Sequence, residues 1–211
     1  MQSSKTELIQ EKIALAVNRG QFIGEHLEEM IRQKDLSPDL PDLVARLGAI
    51  CLDVEYGPEI KALAKFSPRK LTVTEPTEGR ILPHPFADFT GQVIKGVSDH
   101  SQLPVNLVRK TPTSALDKIR ADETDLPVGL ITFLNVYPPE QTPTFLTILA
   151  QAANPLLAKG GQLIISTVED DVYTAEQLEE ARELMAVCDL SAKLIEKDYG
   201  CAGRLFLICQ K

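Results

Sequence analysis

The chain contains apolar runs too continuous to leave either side facing water. Val128-Gly-Leu-Ile-Thr-Phe-Leu134 is one, and Ala49-Ile-Cys-Leu-Asp53 and Gln162-Leu-Ile-Ile-Ser166 follow the same pattern. A strand with one wet face alternates apolar and polar residues, whereas a strand covered by helices on both faces is apolar throughout. Helix-like segments lie between the runs, over Pro58–Lys65, around Phe86–Val97 and over Thr144–Leu157. Strand and helix in alternation specify an α/β protein built on a parallel sheet. Two further strands are expected at Lys70-Leu-Thr-Val-Thr-Glu75 and Val105–Arg109. The last two, Ala192–Tyr199 and Arg204–Cys209, are joined only by Gly200-Cys-Ala-Gly203. A parallel crossover needs a dozen or more residues, so this pair is antiparallel. The expectation is a three-layer sandwich around a mostly parallel seven-stranded sheet with an antiparallel C-terminal strand.

Residues 5–34 have a different rhythm. Leu8, Ile9, Ile13, Ala16, Val17, Ile23, Leu27, Met30 and Ile31 recur at helical spacing, with Gly20 as the weak point. A loop rich in breakers, Asp35-Leu-Ser-Pro-Asp-Leu-Pro41, follows, and Asp42 is placed to cap a short helix ending near Arg46. The expected division is an N-terminal helical cap over 1–44 and an α/β domain over 45–211. Near the C-terminus, Ala158-Lys-Gly-Gly161 reads as a helix-to-strand turn. Thr174 with Gln177 forms a capping box opening a helix that runs to Val187.

Charge and composition exclude several functions. The 211 residues carry 30 acidic against 22 basic side chains, a net charge of −8, and no basic run exceeds the pairs Arg69-Lys70 and Arg109-Lys110. A phosphate backbone demands a concentrated positive face, so nucleic acid is not an expected partner. No segment approaches the roughly 18 consecutive apolar residues of a membrane span, and no hydrophobic run marks a leader, so a cytoplasmic location is expected. Cys51, Cys188, Cys201 and Cys209 form no CxxC pair and lie apart from the scattered His26, His84 and His100. Buried reduced thiols are expected, and no metal site.

Four segments, in order, carry a family resemblance: Ile50-Cys-Leu-Asp-Val-Glu-Tyr-Gly-Pro-Glu59, then Glu75 closing the second strand, then Phe133-Leu-Asn-Val-Tyr-Pro138, and last Asn154-Pro-Leu-Leu-Ala-Lys-Gly-Gly-Gln-Leu-Ile-Ile-Ser166. Together they resemble the class I S-adenosylmethionine-dependent methyltransferases over about the last four-fifths of the chain. The first segment is similar to that family's first strand and its Asp-x-Gly-x-Gly-x-Gly loop, and the last to its Leu-Lys-Pro-Gly-Gly turn and fifth strand. The resemblance implies a cofactor site for S-adenosylmethionine formed by Asp53, Glu55, Gly57, Glu75, Pro76, Asn135 and Tyr137, with Glu75 on the ribose hydroxyls. It also implies methyl transfer to a small-molecule or protein acceptor. Tyr137 and His84 are the side chains best placed by position to contribute to transfer, and no general base is identified. Open α/β sheets bind ligands at the carboxyl ends of strands where strand order reverses, which agrees with these positions.

The chain departs from that pattern at two of the three loop glycines, which are Glu55 and Glu59 here, leaving only Gly57. A side chain at 55 crowds the path of the methionine moiety, although its carboxylate can accept from the cofactor ammonium. The bulk of Glu59 is expected to disturb the following helix. The two carboxylates also oppose a dinucleotide pyrophosphate, which makes a nicotinamide-dependent oxidoreductase the weaker reading. Asp53 has two readings, a ligand contact or a turn cap, and Glu75 before Pro76 can equally end a solvated strand. The altered loop keeps a second function class open: a non-catalytic member of the fold acting as a binding or scaffold subunit, with the N-terminal helices as a homodimer or partner surface.

Overall fold

In a computed structural model of the chain, the structure describes residues 10, 14, 17–18, 20–54, 58–75, 89–122, 127–136, 142–167, 175–197 and 205–211, without the side chains of 89, 135–136, 167 and 175. Residues 20–32 are helical, first as a π-helix over Phe22–His26 and then as α1 (Leu27–Arg32). There follow α2 (Leu40–Leu47), β1 (Ala49–Cys51), α3 (Pro58–Ala64), β2 (Leu71–Thr74), α4 (Phe89–Ser101), β3 (Val105–Val108), α5 (Pro112–Asp122) and β4 (Val128–Val136). The chain continues with α6 (Pro143–Ala153), a 3₁₀ turn at Asn154–Leu156, β5 (Leu157–Thr167), α7 (Ala175–Met185), a second 3₁₀ turn at Ala186–Cys188, β6 (Ser191–Glu196) and β7 (Leu205–Gln210).

The seven strands form one sheet in the order β3-β2-β1-β4-β5-β7-β6. The first five pair in parallel, and β7 is antiparallel to both β5 and β6. This is the expected class and topology. Successive residues of a strand point to opposite faces, so each apolar run feeds two cores. Ile50, Ile131, Phe133, Leu163 and Ile165 join α5, α6 and α7 on one side. On the other, Ala49, Cys51, Leu130 and Ile164 join the π-helix and α1 to α4. The N-terminal segment is therefore part of this second layer: Phe22 stacks on Phe206 of β7 with ring centroids 5.1 Å apart, and both are fully buried.

Several boundaries differ from the sequence expectation. The short helix begins at Leu40 with Asp39 before it, so Asp42 sits within its first turn and does not cap it. Pro41 explains the earlier start, because its fixed φ suits the first helical turn. Ala158-Lys-Gly-Gly161 is not a turn ahead of a strand: it lies inside β5, where the register against β4 jumps from Val128↔Leu157 to Leu130↔Gln162. The segment is an extended bulge, and of its two glycines Gly160 carries the positive φ, +82°. α4 runs past Val97 to Ser101, the start of the expected helix at 86–88 lies outside the described residues, and β6 stops at Glu196. α5 is additional to the expected elements. Its signals are Pro112 at the helix start and Ala115, Leu116 and Ile119 on its buried face. Thr174 of the expected capping box lies outside the described residues, and the helix after it is present.

Cys51, Cys188 and Cys209 are buried and outside any disulfide, as expected, and Cys201 lies outside the described residues. No helix among the described residues is long and apolar enough to cross a membrane.

Two predictions follow from this packing. A Cβ at Gly129 would meet the backbone carbonyl carbon of Leu43 at 2.6 Å, so Gly129→Ala forces α2 off β4. The expected loss is about 3 kcal/mol, read from the urea midpoint, at the upper end of overpacking costs. Second, burial pushes the Cys209 thiol from its ordinary 9.0 up to about 12. A raised folded-state value stabilises the fold below the unfolded value and is lost as pH rises. Unfolding titrations from pH 8 to pH 11 are therefore expected to show stability falling, with the fall diminished in Cys209→Ala.

Candidate functional site

The strand order places β1 between β2 and β4, so the chain leaves β1 toward one edge of the sheet and returns to its other side. The carboxyl ends of β1 and β4 therefore flank the point where strand order reverses, the crevice in which open α/β sheets take ligands. Three backbone bonds anchor the chain as it enters this crevice. Leu52 N–H donates to the Thr132 carbonyl at 2.8 Å, Asp53 N–H to Thr74 Oγ1 at 2.9 Å, and Val54 N–H to the Thr74 carbonyl at 2.8 Å. Asp53 adopts φ +56°, a left-handed conformation that aspartate tolerates better than most residues. It is half-buried, between the fully buried Leu52 and Val54.

Glu75 lies one residue past β2 and is buried, its N–H donating to the Val108 carbonyl at 3.0 Å. Arg109, one residue past β3, donates through Nε to Glu75 Oε2 at 3.1 Å. The arginine side chain is 52% exposed and the glutamate 3%, so the pair spans from the protein interior to its surface. A carboxylate out of water is costly unless paired, and the guanidinium supplies both charge and a directed donor. The buried carboxylate is thereby held at the strand end.

Of the residues expected at the site, the structure brings Asp53 and Glu75 to neighbouring strand ends, linked through Thr74. Asn135 belongs to β4, one residue before its end, with its side chain outside the description. Glu55, Gly57, Pro76, Tyr137 and His84 lie outside the described residues. Glu59 does not disturb the helix it was expected to crowd: α3 forms from Pro58 with Ile60 and Leu63 fully buried, and Glu59 itself is buried at 1% exposure. A carboxylate in a first helical turn is favoured by the helix dipole, which removes the expected conflict.

Sequence reasoning missed Thr74 and Arg109. Arg109 follows from the sheet order and not from local sequence: β2 and β3 are parallel with Thr74 opposite Val108, so the next residues along each strand are Glu75 and Arg109.

No protein-family model matches the chain, and no curated protein matches it. Solved structures do. DesVI of Streptomyces venezuelae superposes with a TM-score of 0.62 at 8% identity, over 100% of this chain and 99% of that one. An O-methyltransferase of Bacillus cereus in complex with SAH gives 0.58 at 13% identity, over 100% and 93%. An S-adenosylmethionine-dependent methyltransferase of Clostridium acetobutylicum gives 0.56 at 10%, over 88% and 96%. The fold is that of the class I methyltransferases, and at these identities the likeness is one of fold.

Thr74 supplies the acceptor that turns the chain into the crevice. Thr74→Val is expected to cost about 1–3 kcal/mol by leaving the Asp53 N–H without its acceptor, and Thr74→Ser to recover most of it, both read by chemical denaturation.

Proposed function

We propose that this chain binds S-adenosylmethionine at the carboxyl ends of β1, β2 and β4 and transfers its methyl group to a small-molecule or protein acceptor. The observation that carries the reading is the buried Glu75 carboxylate, fixed by Arg109 at the end of β2 beside the reversal of strand order. A pre-oriented carboxylate suits two vicinal hydroxyl donors, and rigid placement spares the ordering cost on binding. The fold adds support, since the Bacillus cereus neighbour of the same fold is an O-methyltransferase in complex with SAH.

In this reading Glu75 accepts the ribose hydroxyls, Arg109 orients Glu75, and Asp53 with Gly57 lines the path of the chain around the cofactor. Glu55 accepts from the cofactor ammonium. When bound, the cofactor supplies an electrophilic methyl on a sulfonium. The protein's share of the work is positioning: holding an acceptor in line with that methyl and excluding water from it. Asn135, within β4, and Tyr137, which follows that strand in the sequence, complete the proposed set of cofactor-binding residues.

Calorimetric titration with S-adenosylmethionine and S-adenosylhomocysteine tests the proposal. The wild type is expected to bind at micromolar concentration. Loss of hydrogen bonds to a charged acceptor is worth about 1.5–3 kcal/mol, so Glu75→Ala is expected to weaken binding at least tenfold while its thermal transition remains cooperative. No binding to the wild type at millimolar ligand would overturn the reading and leave the fold as a binding or scaffold subunit.

A further inference from the structure

At the opposite end of the sheet, a cavity of about 480 Å³ opens between the end of α1, the segment leading into α2, and strands β5, β6 and β7. Its volume lies within the roughly 300–1,000 Å³ of small-molecule sites. Gln162, on its wall, pairs in register with Leu130, and Leu130 with Ala49, the first residue of β1. The cavity is thus at the amino-terminal side of the sheet, away from Asp53 and Glu75.

The charge here runs against that of the chain. Arg32, Lys34 and Lys193 line the cavity, in a protein of net charge −8. Among the described residues on the wall the one carboxylate, Asp35, is paired with Lys197, which also donates to Gln33 Oε1. Among the described residues three cations therefore remain in excess. Arg32 makes no ion pair among the described residues, and neither does Lys34. Lys193 Nζ donates to the Lys34 carbonyl at 3.2 Å, which leaves two of its three N–H groups.

Gln162 adds neutral donors. It is 2% exposed, and its Oε1 accepts Ser37 N–H at 3.0 Å. That bond fixes which end of the amide is the acceptor. The amide nitrogen makes no hydrogen bond among the described residues, so a buried polar side chain has two donors with no protein partner on the cavity wall. Gln210, opposite Gln162 in the β5–β7 register, lines the same space.

Lys34 is the most telling residue. Helix α1 ends in a Schellman motif: Lys34 N–H donates to the Ile31 carbonyl at 3.0 Å and Asp35 N–H to the Met30 carbonyl at 2.8 Å. The motif requires a left-handed residue, usually glycine, and Lys34 occupies it at φ +64°. A lysine is held where glycine is conformationally favoured. The same bonds occupy the helix-end carbonyls that would otherwise repel an anion.

From this geometry we infer that the cavity is a binding site for the phosphoryl group of a small phosphorylated molecule. A phosphomonoester presents near-double negative charge and three acceptor oxygens, which matches three excess cations and the amide donors. Three cations are too few for a nucleic-acid backbone, whose binders make about 6–10 phosphate contacts.

The test is calorimetric titration of the full chain with inorganic phosphate, pyrophosphate and glucose 6-phosphate, against chloride at matched ionic strength and glucose as the uncharged control. Saturable millimolar or tighter binding is expected for the phosphorylated probes and none for chloride or glucose. Arg32→Gln is expected to weaken it at least tenfold. So is Gln162→Glu, which keeps an acceptor for Ser37 and removes the donors. Lys34→Gly is expected to weaken binding at least threefold while holding or raising the thermal midpoint, a split that a merely structural lysine would not give. Binding of S-adenosylmethionine is expected to be unchanged in all three variants. Binding that is unsaturable, matched by chloride, or unaltered in Arg32→Gln and Gln162→Glu would overturn the inference.

Discussion

The geometry of the crevice depends on a backbone contact made at the other end of β1. Gly48 and Gly129 bring α2, β1, β2 and β4 together without side chains between them. Gly129 N–H donates to the Gly48 carbonyl at 3.0 Å, Ala49 N–H to the Lys70 carbonyl at 3.0 Å, and Gly48 N–H to the Val44 carbonyl at 2.8 Å. A Cβ on Gly48 would lie 2.4 Å from the Lys70 carbonyl oxygen. β1 is only three residues long, about 10 Å of extended chain, so its entry and exit are set together. Where the glycines seat its start, the bonds from Leu52, Asp53 and Val54 seat its end between Thr74 and Thr132. Asp53 thus reaches the reversal of strand order from a strand held at both ends.

That dependence explains what the amino-acid order made legible. Doubly buried strands announce themselves, since every residue of Leu71–Thr74 and Ala49–Cys51 must suit a dry environment. The antiparallel end was legible for a covalent reason, the short link between β6 and β7. α5 was not, because its buried stripe of Ala115, Leu116 and Ile119 is narrow and most of its other residues are polar. Gly160-Gly161 misled in a different way. Paired glycines mark a departure from regular backbone, and both a turn and a bulge satisfy that mark; only the pairing of Leu157 with Val128 decides between them. In the candidate site, Asp53 and Glu75 were legible as carboxylates at strand ends. Arg109 and Thr74 required knowing which strands are neighbours, which is a property of the sheet order and not of local sequence.

Electrostatics separates the two ends of the sheet. At the carboxyl end, Asp53, Glu59 and Glu75 gather acidic groups, with Arg109 compensating Glu75. At the amino end, Arg32, Lys34 and Lys193 gather excess positive charge around Gln162. A ligand bearing a sulfonium and an ammonium is favoured at the first and a phosphoryl group at the second, so the two proposed sites discriminate by charge before any shape is tested.

The weak identity to structures of the same fold follows from the same division of labour. Core positions require an apolar residue of suitable volume at the right period, a demand that many sequences meet, so the superposition survives at 8% identity. The chemistry of a ligand site makes narrower demands, on donors, acceptors and backbone clearance. Here the glycine pattern is broken at Glu59, yet α3 is intact, because Pro58 begins the helix and the carboxylate falls in the first turn where the dipole favours it. The substitution leaves the scaffold intact and changes the charge beside the crevice. Under the proposed function, cofactor binding rests on the carboxylates at the strand ends, and the architecture that presents them does not by itself supply it.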